Sequence, residues 1–265
     1  MAFAESRGAQ IHWNALGHGT PVVLLMGLGC CSAMWFRVAP QLAEHHRVIL
    51  LDNRGVGQTH VPRAVVHRVH HMASDVAAVL DAAGEQSAHV VGFSMGGMIA
   101  QQFAVDFPTR VRSLTLLGTH SGGIWAVQAA AEVRELLLTK GRMSVEKGLL
   151  AMRPFTYASG TADELFDEDA LVRLANQPHR RGYEAQLFGL IGWSAYLELS
   201  RLRCPTLVMH GLQDQLILPA NARVLAERIR DAELIELADA SHWLMTDQNA
   251  QVVAALLNHL ARHSE

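Results

Sequence analysis

Short apolar runs alternate with helix-length patterns along most of this sequence, and the alternation limits the folds that the chain can adopt. The runs are rich in Leu and β-branched residues and have no polar face, which is typical of strands buried on both sides in a parallel sheet. They lie at residues 21–27, 47–52, 88–93, 113–118, 205–211 and 232–238. Helical patterns separate them, near residues 34–45, 72–84, 95–107, 219–230 and 248–262. The alternation predicts an α/β fold with a mostly parallel central sheet and helices on both faces.

Two segments fall outside this alternation. The first residues of the chain predict a hairpin at the edge of the sheet, with its turn near Arg7–Gly8. Residues 121–203 contain helical patterns and no convincing strand. We interpret residues 121–203 as a helical lid over the carboxyl edge of the sheet, because ligands bind at that edge in open α/β sheets. Residues 1–120 and 204–265 would then form the core domain.

Composition excludes several classes of protein. Half of the residues are apolar and 18% are charged, which is typical of a globular chain. The formal net charge of −3, without a basic tract, argues against a nucleic-acid partner. No apolar run reaches the roughly 18 residues that a membrane-spanning helix needs, and no secretory signal is expected. Three cysteines without a CxxC pair predict neither a disulfide framework nor a zinc site, so we expect a cytoplasmic protein.

The histidines invite a test for a metal site, because the chain has fifteen of them and three lie close together in HRVHH, residues 67–71. No carboxylate or cysteine stands at a ligand-like spacing beside this cluster. The cluster is interpreted as a loop that leads into a helix. The sequence therefore predicts no metal and no cofactor.

The segment GFSMG places Ser94 between Gly92 and Gly96, where an apolar run gives way to a helical pattern. A serine there can cap the helix, or it can be a nucleophile on a strained turn. Side chains at the two glycine positions would collide on so tight a turn. The helix N-terminus also favours negative charge on the serine oxygen. The strand–turn–helix context therefore favours the nucleophile.

A nucleophilic serine needs a base, and the base needs an acid that orients it. Asp214 and His242 each follow a later strand-like run, so the carboxyl ends of the strands can bring both to Ser94. Either residue alone could be an ordinary turn or loop residue. Asp239, three residues before His242, is a weaker candidate for the acid. We predict that Ser94 is the nucleophile, His242 the general acid and base, and Asp214 the orienting acid.

The loop after the first parallel run, MGLG, places glycines on both sides of Leu28. Because glycines let the backbone approach a substrate, the N–H groups of Leu28 and Met95 are predicted to form the oxyanion hole. No Arg or Lys beside these motifs demands an acidic substrate. The candidate pocket residues are mostly apolar: Leu28, Phe93, Met95, Trp125, Trp193, Trp243 and Met245.

These motifs together resemble those of α/β-hydrolase-fold serine hydrolases, in the group that contains enol-lactonases, cofactor-free haloperoxidase-like esterases and related carboxylesterases. The resemblance spans nearly the whole chain and rests on MGLG, DNRGVGQT, GFSMGG, HGLQDQLILP and SHW. The chain departs from the family pattern at Met26, where a histidine is usual, and at Ala240-Ser241, where a glycine often stands. Residues 121–203 match no motif of the family.

The resemblance implies acyl chemistry, because the dehalogenases and epoxide hydrolases of this fold use an aspartate where this chain has Ser94. We expect cleavage of an ester or lactone of a small, largely apolar molecule through an acyl-enzyme. Two alternatives stay open. One is a hydrolase that cleaves a carbon–carbon bond in a diketone, which the His242-Trp243 pair supports and the unmatched oxyanion loop opposes. The other is a non-catalytic ligand receptor that keeps the triad. The sequence predicts neither the specific substrate nor the oligomeric state.

Overall fold

The computed structural model describes residues 2–62 and 66–264. In these ranges the chain forms an eight-stranded sheet. Its strands are β1 (Ala2–Ser6), β2 (Ala9–Leu16), β3 (Pro21–Leu25), β4 (Arg47–Leu51), β5 (Ala88–Phe93), β6 (Val111–Leu117), β7 (Thr206–Gly211) and β8 (Glu233–Leu237). Their order across the sheet is β1-β2-β4-β3-β5-β6-β7-β8, and every pair from β4 to β8 is parallel. The predicted mostly parallel sheet is confirmed.

The antiparallel edge of the sheet begins with the hairpin of β1 and β2. Arg7 and Gly8 connect the two strands, with φ angles of 49° and 75°. Two successive residues with positive φ give a hairpin turn whose twist matches that of the strands. Strand β2 then pairs antiparallel with β4, which joins the hairpin to the parallel part of the sheet.

Helices cover both faces of the sheet. The α-helices are α1 (Ala39–Ala43), α2 (Val69–Ala82), α3 (Met95–Asp106), α4 (Ala131–Thr139), α5 (Val145–Thr156), α6 (Asp163–Ala175), α7 (Arg180–Leu190), α8 (Ala220–Arg228), α9 (Leu244–Asp247) and α10 (Asn249–Arg262). Successive side chains of a strand point to opposite faces. Val22 and Leu24 pack with α1 and α10, whereas Val23 and Leu25 pack with α2, α3 and α8. None of the helices in the described ranges has the length and apolar character needed to cross a bilayer.

The long segment between β6 and β7 is folded into helices α4 to α7 and short turns. Within the described residues, this segment contains no strand, and its β-pairing is limited to one isolated bridge between Gly122 and Ser194. This bridge joins the beginning and the end of the segment. The boundaries of a separate lid at residues 121–203 stay a prediction.

A buried carboxylate ties this segment to the rest of the molecule. Asp169 of α6 accepts hydrogen bonds from Arg37 Nε at 3.0 Å, from the Tyr157 hydroxyl at 3.0 Å and from Thr246 Oγ1 at 2.6 Å. Arg37 and Thr246 lie outside the segment, in the loop before α1 and in α9. Because a buried carboxylate needs such partners, the three bonds fix α6 against the core.

Candidate active site

Ser94 lies between β5 and α3 on a strained turn. Its φ is 56° and its ψ is −121°, a conformation that a non-glycine residue rarely adopts. A Cβ atom at Gly92 would clash with the carbonyl oxygen of Gly96, and one at Gly96 would clash with that of Leu25. Both glycines are therefore required by close contacts, as the sequence predicted.

The structure brings Ser94, His242 and Asp214 into one hydrogen-bonded chain. His242 Nε2 lies 3.1 Å from Ser94 Oγ, and His242 Nδ1 lies 2.8 Å from Asp214 Oδ2. All three residues are buried, and they follow the carboxyl ends of β5, β7 and β8. Asp239 is exposed, and its backbone carbonyl accepts a bond from Gln248. The geometry thus favours Asp214 over Asp239 as the partner of His242.

Asp214 is held as a carboxylate by its neighbours. Its Oδ1 accepts the backbone N–H groups of Leu216 at 2.9 Å and Ile217 at 2.8 Å. Burial tends to raise the pKa of Asp214, but the neighbouring His242 and His210 together lower it to about 2. An ionised carboxylate only accepts, so the proton of His242 stays on Nδ1 and Nε2 is free to accept another.

His210 is a second histidine on this carboxylate, and sequence reasoning missed it. Its Nε2 lies 2.7 Å from the carbonyl oxygen of Ile217 and 3.2 Å from Asp214 Oδ2. Because both oxygens only accept, the proton of His210 resides on Nε2. The residue lies at the end of β7, four positions before Asp214, and this spacing was the available sequence signal.

Leu28 and Met95 both line the cavity that contains Ser94. Met95 is the first residue of α3, so its N–H has no acceptor within the helix. Leu28 lies in the loop after β3, between Gly27 and Gly29. The two predicted oxyanion donors are thus located around the same cavity.

Two side chains hold the loop that carries Leu28. Gln186 of α7, which is fully buried, accepts the N–H of Gly29 at 2.8 Å. Asn53 donates to the carbonyl of Met26 at 2.9 Å. These two bonds support the loop from both sides of Leu28. Sequence reasoning did not identify Gln186, because it is 157 positions away from Gly29.

The space beside Ser94 consists of two adjoining cavities of about 160 Å³ and about 250 Å³. Taken together, they fall near the lower end of the range of roughly 300–1,000 Å³ that is typical of small-molecule pockets. The cavities share five lining residues: Leu28, Cys30, Lys140, Met152 and Arg173. Their size fits a small molecule.

Two of the predicted pocket aromatics lie where they were expected. Phe93 and Trp243 line the cavity with Ser94 and His242. The ring of Phe93 is 4.9 Å from the rings of both His242 and Trp243, measured between centroids. These contacts pack the ring of His242 against Phe93, which in turn packs against Trp243.

Three other pocket predictions need correction, because Trp125, Trp193 and Met245 are not among the residues that line the two cavities. Trp125 stacks on Tyr196 with 4.5 Å between ring centroids, and 47% of its surface is exposed. Trp193 is buried in the core and donates from Nε1 to Gln102 at 2.8 Å. Met245 packs in the core on the other face of the sheet.

Polar residues that the sequence motifs did not reveal also line the cavity, among them His120, Lys140 and Arg173. His120 Nδ1 accepts the N–H of Gly122 at 2.9 Å. Burial lowers the pKa of His120 to about 4, so the ring is neutral near pH 7. Over the described residues, no group of three or more His, Cys, Asp or Glu side chains is arranged to hold a metal ion.

Comparison with known proteins extends over most of the chain. Residues 20–248 match the family model described as alpha/beta hydrolase fold. A protein of Azorhizobium caulinodans, provisionally named carbamate hydrolase RutD, is 31% identical over 91% of both chains. The poly(3-hydroxyalkanoate) depolymerase of Ectopseudomonas oleovorans is also 31% identical, over 91% of this chain and 83% of its own.

A solved structure shares the fold over nearly the full length. The enol-lactonase from Burkholderia xenovorans LB400 superposes with a TM-score of 0.86, covering 98% of this chain and 99% of its own, at 23% identity. The match of the family model covers far more than half of the sequence, and the observed sheet order and the serine turn agree with it. The chain belongs to the alpha/beta hydrolase fold family.

Proposed function

We propose that this hydrolase cleaves a carboxylic ester or a lactone through an acyl-enzyme on Ser94. The observation that carries the proposal is the hydrogen-bonded chain from Ser94 Oγ through His242 to Asp214, at the wall of a cavity. A nucleophile, a base and an orienting acid within hydrogen-bond reach are the arrangement that acyl transfer requires.

In the first half of the reaction, Ser94 Oγ attacks the carbonyl carbon while His242 Nε2 takes its proton. The carbonyl oxygen becomes negatively charged, and the N–H groups of Leu28 and Met95 donate to it. The ionised Asp214 stabilises the imidazolium that forms. His242 then gives the proton to the leaving alkoxide oxygen, and an acyl group remains on Ser94.

In the second half, water replaces the alcohol. His242 accepts a proton from the attacking water and returns it to Ser94 Oγ as the acid product leaves. With a lactone, the leaving oxygen stays attached to the acyl group, so the product is a single hydroxy acid. The reaction consumes one water and needs no other reactant.

The choice of an ester or lactone follows from the nucleophile and from one relative. Similarity to a depolymerase of poly(3-hydroxyalkanoate), a polyester, supports ester cleavage. The small cavities favour a small molecule over a polymer. Similarity to a protein named as a carbamate hydrolase makes carbamates the competing acyl substrates to include in any assay.

The test combines active-site labelling with turnover of an activated ester. A fluorophosphonate probe is expected to form one adduct, at Ser94, and p-nitrophenyl butyrate to give a burst followed by steady turnover. Ser94→Ala is expected to abolish labelling and to lower kcat by about 10⁴-fold or more. Ser200→Ala, which changes an exposed serine, is the matched control.

The other outcomes separate the alternatives. Labelling at a different serine, or an unimpaired Ser94→Ala enzyme, would remove the basis of the proposal. Turnover of a diketone without turnover of any ester would indicate a carbon–carbon hydrolase. Ligand binding with no turnover of esters, lactones, carbamates or diketones would indicate a receptor.

A further inference from the structure

Two cationic side chains lie where the two cavities meet. Lys140, just after α4, and Arg173, on α6, each line both cavities. Both side chains are only partly exposed to solvent. Among the described residues that line these cavities there is no Asp and no Glu. The lining where the two cavities meet is therefore positively charged.

Neither cation has a carboxylate partner within 4 Å in the described ranges of the chain. Each instead lies over an aromatic ring. Lys140 Nζ is 5.2 Å from the centroid of Tyr183, and Arg173 Cζ is 5.0 Å from that of Trp243. Such cation–π contacts hold the two side chains in place, and Arg173 also has the Cys30 side chain as a hydrogen-bond partner. The ammonium of Lys140 and the remaining guanidinium N–H groups of Arg173 have no acceptor among the described residues.

The carboxylate nearest in sequence to Arg173 already accepts hydrogen bonds from other side chains. Asp169 lies one helical turn earlier and accepts bonds from Arg37, Tyr157 and Thr246. It contributes attraction to Arg173 at longer range, without a direct ion pair. The positive charge at the junction of the cavities is thus not neutralised by α6 itself.

The charge of Arg173 also disfavours the protonated form of Lys140. Burial lowers the pKa of Lys140 to about 8, and the nearby guanidinium of Arg173 adds to this effect. Like charges in a poorly solvated site are unfavourable unless an anion compensates them. A bound anion would remove the repulsion and satisfy the free donors at once.

The junction adjoins the reacting groups. Arg173 stacks on Trp243, which directly follows His242 in the sequence, and both of these residues line the cavity with Ser94. A single small molecule can therefore reach Ser94 with one end and the two cations with the other.

We infer that Lys140 and Arg173 form a subsite for a carboxylate, so that the natural substrate is an ester or lactone that also carries a free carboxylate group. The inference rests on the proposed function, since it specifies the substrate of the same site. A guanidinium can bind a carboxylate through two parallel hydrogen bonds, and an ammonium adds a third. The remaining apolar lining would contact the carbon chain between the two ends.

The test compares paired substrates in one enzyme. One member of each pair is a p-nitrophenyl monoester of a dicarboxylic acid, from succinate to adipate. Its partner is the neutral ester in which an isopropyl group replaces the carboxylate. The quantity measured is the ratio of kcat/KM for the charged ester to that for the neutral ester. This ratio does not depend on the fraction of enzyme that is correctly folded.

We expect the wild-type enzyme to prefer the charged member of at least one pair. Arg173→Gln and Lys140→Gln are each expected to lower that ratio by about tenfold to hundredfold, the effect typical of losing a charge-assisted hydrogen bond. Arg173→Lys, which keeps the charge but not the planar fork, should lower it less. Lys147→Gln, an exposed change on α5 that touches neither cavity, is the matched control and should leave the ratio unchanged.

The outcomes separate a failure of the proposed esterase function from a failure of the carboxylate subsite. If neither member of any pair is hydrolysed in a Ser94-dependent manner, the proposed function fails. If esters are hydrolysed but the wild-type enzyme has no preference for charge, or both Gln variants keep the wild-type ratio in every pair, the carboxylate subsite is wrong and the esterase proposal stands.

Discussion

Asp214 provides the sharpest test of the proposed chemistry, since its carboxylate accepts hydrogen bonds from His242 and from two backbone N–H groups. We expect Asp214→Asn to lower kcat by about 10⁴-fold, because an amide that donates to Nδ1 would stabilise the wrong tautomer of the base. Asp239→Asn is the matched control and should change kcat by less than about twofold, since that side chain is exposed. The measurement is steady-state kinetics on one activated ester. A crippled Asp239→Asn enzyme with an active Asp214→Asn enzyme would refute the assignment.

The sequence predicted the proximity of residues whose position follows from topology. Ser94, Asp214 and His242 each follow a parallel strand, and the carboxyl ends of such strands share one edge of the sheet. Prediction from the sequence failed where the direction of a side chain decides. The sequence of a helical region does not determine the direction of a tryptophan side chain. The predictions that Trp125 and Trp193 line the pocket are therefore wrong: Trp125 is half-exposed, and Trp193 is in the core.

Helix α7 supports the loop that carries Leu28 through one side chain. Gln186 accepts the N–H of Gly29 and donates to the carbonyl of Arg54 at 2.7 Å. We expect Gln186→Leu to lower kcat about tenfold and to reduce stability by about 1–3 kcal/mol, because a buried N–H and a buried carbonyl lose their partners. Activity on a minimal ester and the thermal midpoint would be measured together.

Two further variants give this experiment its controls. Gln186→Glu retains the acceptor for Gly29 and should recover part of kcat. Gln251→Leu alters an exposed glutamine on α10 and should leave both readouts unchanged. A Gln186→Leu enzyme with normal kcat and a lower thermal midpoint would show that α7 stabilises the fold without positioning the loop.

Most elements could be predicted because hydrophobic periodicity and turn residues determine their positions. The helix predicted near residues 34–45 differs from the structure because of the steric effect of a proline. A helix was expected near residues 34–45, whereas the structure has a short turn at Ser32–Trp35 and then α1. Pro40 lies in the first turn of α1. A proline restricts the residue before it and lacks an N–H, so the helix has to begin there instead of continuing from Trp35. The arrangement of α4 to α7 depends on tertiary packing, which no periodicity encodes.

The whole molecule should be sensitive to acid because several histidines are buried. Burial lowers the pKa of His67, His120 and His259 to about 4 and that of His89 to about 3. In the unfolded chain an imidazole titrates near 6.5. Between about pH 6.5 and pH 4 the unfolded state therefore binds more protons than the folded state, and stability falls as the pH is lowered.

We expect the thermal midpoint to fall steadily from pH 7 to pH 4. His89→Gln should flatten this dependence, because it removes a titrating group while an amide can still bond Ser113, the partner of His89 at 2.8 Å. His18→Gln, at an exposed position, is the control and should leave the slope unchanged. Equal midpoints at pH 7 and pH 4 would contradict the prediction.

The segment that contains α4 to α7 leaves the sheet after β6 and returns to β7, and these two strands are hydrogen-bonded neighbours. The pairing of β6 with β7 therefore does not depend on the sequence of the residues between them. Ser94, His242 and Asp214 all lie outside the segment, whereas Lys140 and Arg173 lie within it. Under the proposals above, changes at Lys140 and Arg173 can alter the choice of substrate while the three bond-breaking residues stay as they are, as long as Gln186 of the same segment continues to hold the loop of Leu28.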